Sequence, residues 1–161
     1  MIELILVRHG DAEPKAEGKE DRERRLVEKG VIQMRRVAKL VELLGFRLDR
    51  ILASPYVRAI QSAQAISEEL EDDVKVETIK ELEPDQDPSA LLNRLRGMDE
   101  KGCNTTILVV GHEPYLSRFI KLVTGGEVEL KKGGVAVIKM NATEGKGSLE
   151  LLLNQKVLKQ L

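Results

Sequence analysis

The sequence is poor in aromatic residues and in cysteine. Of its 161 residues only 2% are Phe, Trp or Tyr, and tryptophan is absent. The low aromatic content excludes the stacking platforms on which single-stranded nucleic acids bind, and it predicts an aliphatic core. Cys103 is the single cysteine, so no disulfide can form within the chain. That usage is typical of a protein from the reducing cytoplasm.

The chain also lacks an excess of charge of either sign. It has 26 Lys and Arg against 27 Asp and Glu, a formal net charge of −1. A nucleic-acid or anionic-membrane surface needs a basic excess, so we expect neither partner, and any anion must bind locally. The apolar runs are far shorter than the roughly 20 residues that cross a bilayer. No basic start typical of a signal peptide follows Met1. We therefore expect a cytoplasmic protein with a single domain over residues 1–161.

Short apolar runs alternate with helical segments along the chain. The runs that predict strands are 2–7, 51–53, 74–79, 107–110, 135–138 and 149–153. The segments that predict helices are 28–44, one beginning at Ser54-Pro55, one beginning at Asp87-Pro88, and 115–124. The last two strands have no helix between them, which indicates a hairpin. This order predicts an α/β fold, a three-layer α/β/α sandwich with a mostly parallel central sheet and an antiparallel pair at the end.

The segment 11–25 carries a dense run of charges. Its second half, 19–25, contains only Lys, Glu, Asp and Arg. Such a run is typical of a solvated surface, and we favour a mobile, exposed loop over a specific contact site. The sequence does not say whether this loop covers a neighbouring site.

The chain has two histidines, and each follows a predicted strand where a turn begins. His9 comes after Arg8 at the end of the first strand, and His112 follows the fourth. Because the carboxyl ends of parallel strands meet at one edge of a sheet, we expect both side chains there. Arg58 lies near the start of the helix after the second strand, where a guanidinium fork and free backbone donors suit a phosphate. The pattern predicts a site for a doubly charged tetrahedral anion.

A zinc site on the two histidines is the alternative chemistry. Arg8 and Arg58 would repel a dication placed between His9 and His112, and the sequence offers no obvious third ligand. We therefore expect neither a metal ion nor another cofactor at this site.

Three segments, taken in order, resemble the signature of the histidine phosphatase superfamily, which has the phosphoglycerate mutase-like fold. They are 7–10 (Val-Arg-His-Gly), 53–63 and 110–114. The chain is most similar to the small phosphohistidine phosphatase branch of the SixA type, since it is too short for the insertions of the glycolytic mutases. Two positions depart from the family pattern. Val27 stands where a threonine often caps the first helix, and Ser62 replaces another common threonine.

The resemblance implies a role for each residue at the sheet edge. His9 is the expected nucleophile and carries a transient phosphoryl group. Arg8 and Arg58 are expected to hold the phosphoryl oxygens, and His112 to donate a hydrogen bond to the same group. Water then hydrolyses the phosphohistidine, and the two arginines supply the positive charge that kinases take from magnesium.

Two glutamates are candidates for the general acid. Glu81 follows the third predicted strand, where many members of the family place a proton donor, and Glu113 directly follows His112. We favour Glu81. Asp11 is expected to orient the loop after the first strand, and Lys132 fits the rim of the site and an ordinary exposed position equally well.

The expected reaction is metal-independent hydrolysis of phosphohistidine in proteins, since a chain without a large lid leaves its site open to a protein surface. The first alternative is the same chemistry on a small phosphorylated metabolite. The second is a non-catalytic module that binds phosphoryl groups. The mark of such a module would be loss of His9 or of an arginine, and the sequence retains all of them.

Overall fold

The computed structural model describes residues 1–71 and 74–161. Its strands are β1 (Ile2–Arg8), β2 (Arg50–Ala53), β3 (Val76–Thr78), β4 (Thr105–Gly111), β5 (Val135–Asn141) and β6 (Lys146–Leu153). Its helices are α1 (Glu28–Leu43), α2 (Val57–Leu70), α3 (Pro88–Arg96), α4 (Tyr115–Thr124) and α5 (Gln155–Leu158). Two single 3₁₀ turns lie at Asp21–Glu23 and Lys80–Leu82.

The six strands form one sheet in the order β3-β2-β4-β1-β5-β6. The pairs β1–β4, β4–β2 and β2–β3 are parallel, whereas β5 runs antiparallel to both β1 and β6. Parallel neighbours need a crossover, which the helices supply, and the antiparallel pair needs only a hairpin. The predicted sheet, mostly parallel with an antiparallel pair at the end, is confirmed.

Helices cover both faces of the sheet. Along β1, Leu4 and Leu6 are buried in the core that contains α3 and α4, whereas Ile5 and Val7 are buried in the core with α1 and α2. Successive strand side chains point to opposite faces, so a strand that is apolar throughout is buried on both. The three-layer sandwich is therefore confirmed as well.

The start of α2 differs from the prediction. The Ser54-Pro55 pair was expected to cap and open the helix, but Tyr56 is the N-cap residue and Val57 the first helical one. The Ser54 hydroxyl instead accepts a hydrogen bond from the Tyr56 N–H at 3.2 Å. The same local signal at Asp87 behaves as predicted, since its carboxylate caps α3.

Other boundaries also move. β3 is shorter than the predicted 74–79, and it lies at the edge of the sheet, paired with β2 alone. β6 begins earlier than expected, because Gly145 adopts a positive φ of 70° and closes a tight hairpin. The four-residue α5 is too short to leave a periodic signal in the sequence. Among the described residues, no helix is both long and apolar enough to span a membrane.

The backbone that follows β1 touches the start of α1. A Cβ atom on Gly10 would lie 2.7 Å from the Gly30 carbonyl oxygen, and one on Gly30 would lie 2.2 Å from that of Asp11. Val27 provides no side-chain cap for α1, as its hydrophobic side chain predicts. Its backbone N–H donates to the Asp11 carbonyl at 3.0 Å instead. Close backbone contact thus holds the segment after His9 against α1.

Candidate active site

Arg8, His9, Arg58 and His112 line one pocket of about 280 Å³ at the carboxyl edge of the parallel strands. Arg8 ends β1, His112 follows β4, and Arg58 lies in the first turn of α2. The structure thus brings together the four side chains that the sequence predicts to meet. Across residues 1–71 and 74–161, no group of three or more His, Cys, Asp or Glu side chains could hold a metal ion.

The imidazole of His9 is fixed with one nitrogen bonded to the backbone. Its Nδ1 lies 2.8 Å from the Gly10 carbonyl oxygen. A carbonyl can only accept, so Nδ1 carries the hydrogen and Nε2 keeps its lone pair. The Arg58 Nε–H donates to this Nε2 at 3.3 Å. A nitrogen with an available lone pair beside a guanidinium is the arrangement that a nucleophilic histidine requires.

Ser62 connects the backbone next to His9 with the backbone of Arg58. Its hydroxyl accepts from the Gly10 N–H at 3.1 Å and donates to the Arg58 carbonyl at 2.7 Å. The serine that replaces the family's common threonine therefore makes both bonds with the same oxygen atom. It was not among the predicted site residues, although the sequence analysis noted the substitution.

Arg58 is buried, and its outer nitrogens bind Asp21. Nη1 donates to the Asp21 carbonyl at 2.7 Å, and Nη2 lies 3.2 Å from the Asp21 carboxylate. The other carboxylate oxygen accepts from the Arg24 Nε at 2.8 Å. Burial alone would raise the pKa of Asp21, but its bonds to Arg24 and Arg58 outweigh burial and lower that pKa.

The prediction that the run 19–25 is exposed and makes no specific contact is wrong for Asp21 and Arg24. Asp21 and Arg24 line the pocket, because a buried guanidinium attracts a carboxylate and the carboxylate in turn attracts a second arginine. A run of charged residues has the same sequence whether its side chains are solvated or bind a buried partner. The run alone therefore could not predict the contact with Arg58.

The imidazole of His112 is held by Ser54. Its Nε2 lies 2.8 Å from the Ser54 hydroxyl, which already accepts the Tyr56 N–H. Nε2 is the one acceptor that the hydrogen of this hydroxyl has among the described residues, so we infer that the hydroxyl donates to Nε2 and that the imidazole proton lies on Nδ1. Ser54 therefore orients His112 with a donor directed away from the serine.

Two buried nitrogens in this site have no hydrogen-bond partner among the described residues. They are His112 Nδ1 and Arg8 Nε. The rest of the Arg8 guanidinium is anchored by a 2.9 Å bond from Nη1 to the Leu130 carbonyl. A buried donor without a partner costs about 1–3 kcal/mol, so two of them in one pocket indicate a place that a ligand satisfies.

Burial and the neighbouring arginines lower the pKa of both imidazoles. The pKa of His9 falls to about 4, chiefly through burial and despite the opposing bond to the Gly10 carbonyl, with Arg58 and Arg8 adding to the decrease. The pKa of His112 falls to about 2 through burial, aided by His9 and Arg58. Both rings are therefore neutral at pH 7, and the lone pair on His9 Nε2 is available.

This electrostatic environment predicts an unusual titration. In the ligand-free protein, the two histidine ring signals in a ¹H–¹³C NMR titration are expected to stay unprotonated well below the ordinary value of about 6.5. Unfolded chains take up protons on these rings as the pH falls through about 6.5, whereas the folded protein does not. The free energy of unfolding should therefore decrease as the pH drops from there toward 4, the lowered pKa of His9. Two midpoints near 6.5 in the folded protein would contradict this.

The structure separates the two candidate acids. Glu113 lines the pocket, but its carboxylate accepts hydrogen bonds from the backbone N–H groups of Ser117 (2.7 Å) and Leu130 (3.1 Å). Glu81, favoured from the sequence, is not among the residues that line it. Its carboxylate lies 3.3 Å from Arg94 Nη1 on α3. The sequence places Glu81 after a strand but carries no sign of this competing arginine.

Lys132 forms part of the pocket wall and pairs with Asp11. Lys132 lines the pocket, with its Nζ 3.2 Å from an Asp11 carboxylate oxygen. The other oxygen of that carboxylate accepts from Gln33 Nε2 at 2.7 Å, and the Asp11 N–H donates to Gln33 Oε1 at 2.8 Å. Asp11 therefore orients the segment after β1. Of the two interpretations of Lys132, the structure supports a position at the rim of the site.

Comparison with known proteins places this geometry in a family. The sequence model of the histidine phosphatase superfamily (branch 1) matches residues 4–83. An uncharacterized protein from Picosynechococcus sp. is 30% identical over 145 residues, which cover 88% of this chain and 87% of that protein. The chain belongs to the histidine phosphatase superfamily. The sequence resemblance that predicted this membership is confirmed.

Within the superfamily, this histidine phosphatase is similar to SixA proteins. Phosphohistidine phosphatase SixA of Escherichia coli is 26% identical over 126 residues, 78% of this chain and 76% of that one. The structure of the protein histidine phosphatase SixA complexed with tungstate superposes with a TM-score of 0.87 at 23% identity, covering 97% and 99% of the two chains. The phosphoglycerate mutase-like fold is thus confirmed, and the predicted similarity to SixA-type proteins is found in both comparisons.

Proposed function

We propose that this histidine phosphatase hydrolyses phosphohistidine in proteins, through a phosphoryl intermediate on His9 and without a metal ion. The observation that carries the proposal is that Arg8, His9 and His112 line one pocket and each has a nitrogen that a phosphoryl group can use. His9 Nε2 keeps its lone pair, and the buried Arg8 Nε and His112 Nδ1 have no partner among the described residues. A phosphoryl group bound there satisfies both donors and brings phosphorus to the nucleophile.

The reaction proceeds in two displacements. In the first, the His9 Nε2 lone pair forms a bond to phosphorus as the bond from phosphorus to the substrate's imidazole nitrogen breaks, and the substrate ring, protonated on its other nitrogen, leaves as neutral imidazole. The Arg58 Nε–H, which donates to that lone pair at 3.3 Å in the ligand-free site, is then available to a phosphoryl oxygen. In the second, water attacks phosphorus, the bond to Nε2 breaks, and orthophosphate leaves with His9 restored.

The hydrogen bonds of the nearby carboxylates favour an imidazole leaving group. Asp21 is bound to two arginines, Glu113 accepts two backbone N–H groups, and Glu81 pairs with Arg94 outside the pocket. Each of these carboxylates already binds a donor of the protein, whereas an alkoxide leaving group needs a proton from an acid. Imidazole leaves with little help, which makes phosphohistidine the better substrate for this site.

A small phosphorylated metabolite is the second candidate substrate. The pocket, of about 280 Å³, is larger than a phosphoryl group. This room admits part of a small leaving group, and the same two displacements apply to it. Such a substrate requires an acid, so its turnover should depend on Glu113 or Glu81.

The test is a time course with a phosphorylated histidine-containing phosphotransfer domain, followed by ³¹P NMR. We expect loss of the phosphohistidine signal, growth of orthophosphate, and no change when EDTA is present. His9→Ala serves as the matched control, because it keeps Arg8, Arg58 and His112. A phosphohistidine signal that persists for hours beside active turnover of small phosphate esters would instead favour the metabolite. A protein that binds phosphate but turns over neither substrate would be a binding module.

A further inference from the structure

The pocket carries more positive charge than one phosphoryl group neutralises. Five of the side chains that line it are basic and two are carboxylates, and both histidines are neutral at pH 7. The carboxylate of Asp11, which pairs with Lys132, also pairs with Lys29 at 3.8 Å, so it does not remove the excess. A dianionic phosphoryl group leaves about one positive charge uncompensated in a chain whose net charge is −1.

The basic residues that line the pocket differ in exposure. Arg58 is buried and Arg8 is half-buried, whereas Lys15 and Lys132 are exposed and Arg24 is half-buried. Lys15 is exposed and forms no ion pair within the described part of the chain.

Arg24 is fixed, in contrast to Lys15. Its Nε donates to the Asp21 carboxylate at 2.8 Å and its Nη1 to the Glu13 carbonyl at 2.7 Å. Both bonds hold the guanidinium at the pocket wall, where its charge contributes to the lowered pKa of His9. A guanidinium of fixed orientation and an unpaired lysine that line the same pocket can together recognise a carboxylate or a phosphate.

We propose that Lys15, Arg24 and Lys132 form a second anion subsite, which binds an acidic group of the substrate next to the phosphoryl group. This inference rests on the proposed phosphatase function and specifies its substrate. The substrate then carries a carboxylate or second phosphate a few bonds or one side chain away from the reacting phosphorus. On a phosphohistidine protein that group is a neighbouring Asp or Glu, and on a metabolite it is an acid of the same molecule.

The experiment compares matched substrates that differ only in this group. One pair is two phosphohistidine peptides with Glu or Gln beside the phosphorylated residue, and the other is phosphoglycolate and its amide. The wild-type protein should favour the acidic member of a pair by about tenfold in kcat/KM, the effect of one charge-assisted hydrogen bond. Arg24→Gln and Lys15→Gln should each reduce that ratio toward one. Lys146→Gln removes the same charge at the opposite edge of the sheet and should leave the ratio unchanged.

The outcomes separate this inference from the proposed function. A preference for the acidic member of either pair that is lost in Arg24→Gln supports the subsite. The pair with the higher kcat/KM then identifies whether the acidic group comes from a protein or from a small metabolite. Equal kcat/KM within both pairs overturns the subsite even if phosphohistidine is hydrolysed rapidly. Failure to hydrolyse either peptide overturns the proposed substrate, and the phosphoglycolate pair still tests the subsite.

Discussion

His9→Ala is expected to abolish turnover of every phosphorylated substrate, including a generic aryl phosphate, while phosphate binding persists. Removal of a nucleophile from a catalytic unit lowers kcat by about 10⁴-fold or more. The three other groups that face the pocket remain, since Arg8 is anchored on the Leu130 carbonyl and His112 on Ser54. Stopped assays measure the first effect, and calorimetric titration with orthophosphate measures the second.

The small number of histidines makes the intermediate easy to locate. His9 and His112 are the only two in the chain, so phosphohistidine formed from ³²P-labelled substrate resides on one of them. We expect His112→Ala to retain the label, because its nucleophile is intact and its turnover is slowed. His9→Ala should take up none. Normal turnover in His9→Ala, or label that remains on it, would show that the nucleophile is assigned incorrectly.

The fold could be predicted because its strongest signals do not depend on distant residues. β1 and β4 each contain four consecutive buried apolar residues, which only a strand covered on both faces accommodates. The predicted bounds of α4 agree with the structure, since its apolar face recurs at helical spacing and Gly125 ends it in the left-handed region. The meeting of His9 and His112 then follows from parallel pairing alone.

The contacts around those residues depend on tertiary structure, and the sequence analysis missed them. Ser54 is predicted to be a helix cap because a serine before proline has that local preference, yet its hydroxyl forms a hydrogen bond with His112. Asp21 reads as solvated because its neighbours are charged, yet it binds a buried arginine that lies 37 positions away. Glu81 has the expected place along the chain, but an arginine one element later holds its carboxylate outside the pocket.

Arg58→Lys should lower kcat/KM by about 10²–10³-fold, although the side chain keeps its charge. Arg58 uses one end of its fork on Asp21 and directs Nε at His9, so a single guanidinium fixes the pocket wall and approaches the reacting atom at the same time. A lysine ammonium is a point donor that cannot keep both geometries. The loss should appear mainly in kcat, because the Nε–H gains its phosphoryl acceptor only as the His9 lone pair is consumed.

Arg94→Lys is the matched control for this effect, since Arg94 pairs with Glu81 away from the pocket. This substitution should change kcat/KM less than about threefold.

Asp21→Asn separates the two interactions of Arg58, with Asp21 and with His9. It weakens the outer anchor while leaving Nε next to His9, so it should raise KM more than it lowers kcat. If Arg58→Lys were as active as the wild type, positive charge alone would suffice at this position. The directed Nε–H would then have no part in the transfer, and the stabilisation of the phosphoryl oxygens would have to come from Arg8 and His112.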